Sequence, residues 1–350
     1  MIEKEFKDYI DNKYPSFLKQ FIKKISLPPI ISLAFISIFL YIIHFIISYI
    51  NGDYEKFVKD WATPLGVFAG FYLFAVYLYL EKQIKNYSAV FRHITELNDE
   101  VFQKFYEKYI FLAVRSHNLI LFCIVIIILV NIIAIRMGLW YDSFISNSWL
   151  LIEMNITVLG GLLNCWLMVC TSWMISELGK NPRISPFHND RFGGLKAYGD
   201  LSFTFFIFAI AIATLLTVIL LFAPWKNSLI LHGTIMSIII YSIIFVSFFV
   251  PLFNIHKKIK RFKETKLFEI HKLLLNYDKE MIKNLENNSD PNDFKNKLDC
   301  ILLFQSKVCK IKTWPFGYTT LTKVIGGTLL PLTSILTHLG TIKSILENFS

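Results

Sequence analysis

The sequence predicts an all-α, polytopic membrane bundle: six transmembrane helices with further helices on the cytoplasmic side. Three observations carry that expectation. Six apolar runs have roughly the 20 residues needed to cross a hydrocarbon core about 30 Å thick. Hydrophobic residues make up 54% of the 350-residue chain, and mean hydropathy is +0.49, which suits a membrane bundle better than two soluble domains. Lys and Arg also alternate in density from one connecting segment to the next.

Segments 1–28, 81–117, 178–199 and the chain beyond 256 carry six, six, four and sixteen Lys/Arg, whereas 51–60, 136–147 and 223–228 carry two, one and one. Moving these cations across a bilayer is costly, so the dense side is expected to be cytoplasmic, with the N-terminus inside. A net charge of +10 would suggest nucleic acid for a soluble chain. The one-sided distribution points to anionic lipid headgroups instead, and no nucleic acid is expected.

Residues 1–28 read as an amphipathic cytoplasmic helix, with Ile2, Phe6, Tyr9, Ile10, Phe17, Phe21 and Ile22 interleaved with lysines. This stretch lacks a short apolar core before a small-residue cleavage site, so no cleaved signal is expected. The transmembrane domain, 29–255, comprises Pro29–Ile50, Trp61–Leu80, Leu119–Leu139, Ser148–Glu177, Leu201–Ala223 and Ser228–Ile255. In the cytoplasmic loop 81–118, Phe91, Ile94, Leu97, Val101, Phe105 and Tyr109 recur at helical steps, which predicts extensions of the second and third spans. The second cytoplasmic loop is 179–200. The sixth run continues past His256 to about Asn284, with Leu267, Ile270, Leu274 and Met281 as an apolar stripe. A turn cluster at Asn287–Asn292 precedes a helix over Asp293–Lys312, completing a cytoplasmic helical region over 256–312. The last segment, 313–350, is expected to associate with the membrane. Within it Val324–Gly340 is either re-entrant, surface-packed or a seventh span, since Gly326, Gly327, Pro331 and His338 interrupt its apolarity.

Four sets of residues stand out. Glu153, Thr157, Asn164 and Thr171 share one face of the fourth span with Gly160, at about 100° per residue. Such groups are disfavoured against lipid, so the stripe lines a pore or joins helices. At the depth of Glu153 lie His44, Arg136 and His232, an outer ionisable cluster in which an Arg136–Glu153 pair is the economical expectation. In the second inner loop, His188 and Asp190 are candidates for proton exchange. Gly193 and Gly194 permit turns closed to other residues, and Asp190 is a candidate helix cap. Lys257, Lys258, Lys260 and Arg261 would meet lipid headgroups. Gly66 and Gly70 form a small-xxx-small motif suited to close helix contact.

No metal-ligand spacing or nucleotide signature occurs, so no metal or cofactor is expected, and catalysis is the weaker reading. Cys123, Cys165, Cys170, Cys300 and Cys309 are expected to be reduced structural thiols.

The string His188-Asn-Asp-Arg-Phe-Gly-Gly-Leu195 resembles the His-Pro-Asp-x-x-Gly-Gly-Leu loop of uncharacterised bacterial multipass membrane proteins. Pro251-Leu-Phe-Asn-Ile-His256, Trp314-Pro-Phe316 and Leu330-Pro-Leu332 are similar as well, so the resemblance covers roughly the C-terminal half. Asn189 departs from the proline of that pattern. The resemblance implies a bacterial membrane protein and assigns no reaction. Heavy use of Ile, Lys, Asn and Phe suits an AT-rich bacterial genome, and the bacterial cytoplasmic membrane is the expected location.

Two functions are expected from these features: an oligomeric, channel-like protein gated through its cytoplasmic helices, or a membrane-anchored sensor or effector scaffold that binds a cytoplasmic protein partner. A homo-oligomer fits the small-residue motifs. A transporter or integral membrane enzyme ranks lower.

Overall fold

The computed structural model describes residues 9–327 apart from 11, 17, 21–27, 60–61, 138–141, 223–226 and 286–290; some helical side chains, chiefly within 216–240, also lie outside the description. The described chain is helical, and no strand forms in it; Thr95 and Pro182 make one isolated antiparallel bridge. In chain order the helices are α1 (Pro29–Ile50), α2 (Tyr54–Lys59), α3 (Ala62–His93), α4 (Asp99–Arg115), α5 (His117–Met137), α6 (Phe144–Leu178), α7 (Lys196–Phe222), α8 (Asn227–Leu285) and α9 (Pro291–Lys310). Residues 318–327 are also helical.

Among the described residues five helical segments are long and apolar enough to cross a membrane: Pro29–Ile50, Asp99–Ile132, Phe144–Leu178, Lys196–Leu215 and Tyr241–Ile282. Their composition suits a membrane location. The outward faces agree with it: α1 exposes Ile30, Phe35, Phe39 and Ile42, and α5 exposes Ile120, Leu121, Ile124 and Ile128. Apolar faces of this extent are tolerated where lipid, not water, surrounds the helix. The expected second span falls within α3, which sits inside the bundle against α1, α6 and α7 and makes its broadest contact with α6.

The main core is concentrated toward one end of the bundle. There Tyr77, Leu80, Ile84 and Phe91 of α3 meet Tyr106 and Ile110 of α4, Leu167 and Met174 of α6, Tyr198 and Phe206 of α7 and Phe248 and Ile255 of α8. A smaller cluster of Leu33, Val67, Phe71 and Phe74 joins α1 to α3. The end that holds the main core also bears the 94–98 and 179–195 connections, and it is called the basic end below.

The 91–109 connection is built as two helical pieces: α3 runs past Leu80 to His93, and α4 starts where the Asn98 side chain accepts the Val101 amide at 2.8 Å. Of the expected stripe Phe91, Ile94 and Tyr109 are buried and Leu97 and Phe105 pack against the core, while Val101 is exposed. The N-terminal segment also departs from a purely surface-bound helix. In its described part Ile10 and Ser16 are fully buried, and Tyr14 packs edge-on against Phe111 of α4.

α3 and α6 approach closely through small residues. The Thr157 hydroxyl donates to the Gly66 carbonyl at 2.9 Å, and the Asn164 amide donates to the Leu73 carbonyl at 2.8 Å. A Cβ on Gly70 would lie 2.8 Å from Thr157 Oγ1, and one on Gly160 would lie 2.9 Å from Leu73 Cβ. Gly160→Ala is therefore expected to cost about 1–2 kcal/mol by overpacking. A denaturant titration of the detergent-solubilised protein checks this, and an unchanged midpoint would show that the helices have slack.

Candidate functional site

Two groups of functional side chains emerge, one within the apolar zone and one at the basic end. In the first, His44 of α1 places Nδ1 2.7 Å from Glu153 Oε2 of α6, with both side chains almost wholly buried. The Trp149 indole donates to Glu153 Oε1 at 3.1 Å, and Phe57 of α2 packs edge-on against the imidazole. A buried carboxylate needs such partners because desolvation penalises an isolated charge. The expected Arg136 and His232 contributions fall on side chains outside the described residues.

Below Glu153 the polar stripe turns toward protein. Thr157 and Asn164 bond to α3, and Thr171 donates to the Leu167 carbonyl of its own helix at 2.7 Å. The four residues do share a face, but at Gly70 and Gly160 that face is closed by helix-to-helix contact. Within one chain Thr157 and Asn164 thus link α6 to α3, which stands opposite this part of the stripe.

The basic end is built around the 179–195 loop. The Arg183 amide donates to the Ile94 carbonyl at 2.8 Å and the Glu96 amide to the Asn181 carbonyl at 3.0 Å, pinning the loop to the α3–α4 connection. Its tip then reverses sharply, with Arg191, Gly193 and Gly194 at φ 59°, 68° and 90°. Glycine accepts this left-handed region freely, and Arg191 is a strained exception. Asp190 organises the reversal: Oδ1 accepts the amides of Phe192 at 2.8 Å and Gly194 at 3.0 Å, and Oδ2 accepts that of Lys196, the first residue of α7, at 3.4 Å. One carboxylate thus serves the turn and the first residue of α7 together.

Burial pushes the Asp190 carboxyl up, but the Gly194 and Phe192 amides and the nearby His188 outweigh it, holding the group below the usual carboxylate range. Its stabilising contribution is thus full above about pH 4 and is lost as pH falls through the depressed value. Asp190→Ala is expected to raise amide exchange at Phe192 and Gly194 by about tenfold or more, equivalent to about 1.4 kcal/mol of lost protection. Wild-type protection that persists in the variant would sink this role.

His188 Nδ1 lies 3.0 Å from Asp190 Oδ1, and the imidazole is half exposed. It borders two hollows. One is a cleft of about 170 Å³ that also meets Arg191, Lys307 and Lys310. The other is a groove of about 450 Å³ along α3, bordered by Tyr87, His93, Asp190, Lys196 and Asp200. Neither hollow is lined by Ser, Thr or Cys; Tyr87 and Lys196 border the groove, and Lys307 and Lys310 the cleft. Among the described residues, no group of three or more His, Cys, Asp or Glu is placed to hold a metal ion.

Stretches far apart in sequence meet at this loop. The Lys312 amide donates to the Arg191 carbonyl at 2.9 Å, and Lys312 Nζ lies over the Phe192 ring. His256 stacks on Trp314 at 4.3 Å between ring centroids and places Nδ1 3.1 Å from the Thr313 carbonyl. Phe316 packs on Phe248, and Phe187 stacks on Phe304 of α9. Lys263 donates to the Cys309 and Ile311 carbonyls at 2.6 and 3.1 Å, covering the C-terminal end of α9. His256 is thus committed to the 313–316 strap and does not join His188. Lys257, Lys258, Lys260 and Arg261 are exposed on α8 beside this strap.

Sequence reasoning missed one pair. Lys85 donates to Glu81 at 2.7 Å and to the Tyr14 carbonyl at 3.0 Å, and both charged side chains are almost fully buried. The available signal was their four-residue spacing on the face that carries Tyr77, Ile84 and Ser88, just past the apolar run.

No protein family, curated protein or solved structure matches the chain.

Proposed function

We propose that this chain is a membrane-anchored receptor scaffold: a helical bundle holds a rigid, basic platform at the cytoplasmic surface of a bacterial inner membrane, and the platform binds a partner there. The observation that carries this reading is the convergence of the 179–195 loop, the α8–α9 region and the 313–316 strap on the best-packed end of the bundle. Binding loops held on a rigid frame lose little entropy when they engage a partner. The orientation rests on the positive-inside bias, with α3 read as the second of six spans and the N-terminus inside.

Accessibility labelling of single-cysteine variants at Lys196 and Lys260 in oriented membranes tests the frame. Both are expected to react only from the cytoplasmic side, and opposite sidedness would end the proposal.

A second reading is supported by the buried His44–Glu153 pair, since ionisable groups at membrane depth often serve ion or proton movement. In that reading several copies assemble a channel. Proteoliposomes separate the two: flux that disappears in Glu153→Gln with assembly intact favours the channel, and its absence in wild type favours the scaffold.

A further inference from the structure

Resting on the cytoplasmic-platform reading, we infer that the cleft between the 186–193 turn and the last turns of α9 is a binding site for a phosphate monoester. That dianion occurs on soluble sugar phosphates and on phosphorylated lipid headgroups alike. The cleft, about 170 Å³, is bordered by His188, Arg191, Lys307 and Lys310 and by no carboxylate. At roughly 30 Å³ per water it has room for about five or six waters, enough for a phosphate group and the first atoms of its ester.

The cations are assembled by the fold. Lys307 and Lys310 are three residues apart on α9, so one helix face presents both. Arg191 is brought to them by its left-handed backbone and by the bond from its carbonyl to the Lys312 amide. Among the described residues Arg191, Lys307 and Lys310 have no carboxylate partner. Like charges held around one hollow repel each other, and a dianion between them removes that cost.

Two local features would otherwise oppose an anion, and both are neutralised. The carbonyl end of α9 is covered by Lys263. The Asp190 carboxylate is occupied by the Phe192 and Gly194 amides and borders the other groove, not this cleft. A guanidinium with two ammonium groups suits a phosphate, because the planar fork binds two oxygens while the lysines add charge.

The test uses the full-length protein in nanodiscs. One arm titrates glycerol 3-phosphate into discs of phosphatidylcholine alone; the other replaces a fraction of that lipid with phosphatidic acid and follows the thermal unfolding midpoint. Saturable binding in the first arm assigns a soluble ester, and a raised midpoint in the second alone assigns a headgroup; either supports the site. The triple variant Arg191→Gln/Lys307→Gln/Lys310→Gln is expected to weaken the effect at least about tenfold. The control Lys104→Gln/Lys108→Gln, exposed on α4 and not bordering the cleft, is expected to leave it intact.

Absence of a saturable response in both arms would overturn the inference. Equal losses in the triple variant and the control would overturn it too, since the attraction would then be that of a diffuse basic surface. Because the labelling of Lys196 and Lys260 reads sidedness independently, a negative result here with labelling intact removes this ligand and leaves the platform standing.

Discussion

Lys85→Ala is expected to destabilise the protein by about 3–5 kcal/mol, because it leaves the Glu81 carboxylate buried without its cation. The Lys85 and Glu81 side chains are only 1% and 4% exposed, so water cannot replace the lost partner. Glu81 Oε2 already has no hydrogen-bond partner among the described residues, which raises the cost of losing the bond to Oε1. The same ammonium holds the Tyr14 carbonyl, so the N-terminal segment should loosen together with α3. The double variant Glu81→Leu/Lys85→Met is expected to recover much of the stability, since an apolar pair of similar size carries no desolvation penalty. Chemical denaturation in mild detergent measures both. A single variant within about 1 kcal/mol of wild type would show that water reaches the pair.

Gly199→Ala is expected to have the second-largest effect, about 2–3 kcal/mol from forced overpacking. A Cβ at this position, in the first turn of α7, would collide with the Pro315 carbonyl and approach Phe316 Cβ at 3.4 Å. Backbone cannot swing aside as a side chain can, so the strap must lift. Trp314 would then lose its stack on His256, and Phe316 its contact with Phe248. Hydrogen exchange across 311–317 should rise while the α3–α6 interface stays protected. Unchanged exchange with an unchanged unfolding midpoint would mean that the strap is not held against α7.

Much of the candidate site was readable because its signals are local. Asp190 beside two glycines foretold a tight reversal, and that carboxylate accepts three amides. The helical period placed Glu153, Thr157 and Asn164 on one face, where the structure has them. What that face meets was not readable. A 3.6-residue repeat states which side chains point together, and it is silent on whether water or another helix stands opposite. Glu153 meets His44 of the expected outer cluster, 109 positions away in the chain. In the 91–109 stripe only Val101 is turned outward, because the restart at Asn98 changes register without any change in composition.

Hydropathy and charge are sums over neighbours, so the chain alone determined an all-helical build, the apolar segments suited to a bilayer and the segregation of its lysines. Contact depends on which faces oppose each other in three dimensions. Only the tertiary structure decided that α3 closes the polar stripe, that Lys85 and Glu81 are enclosed, and that residues near 190, 256 and 314 form one surface. Within lipid no general hydrophobic force selects among apolar faces, so close fit at Gly70 and Gly160 and hydrogen bonds such as Asn164 to Leu73 make that choice.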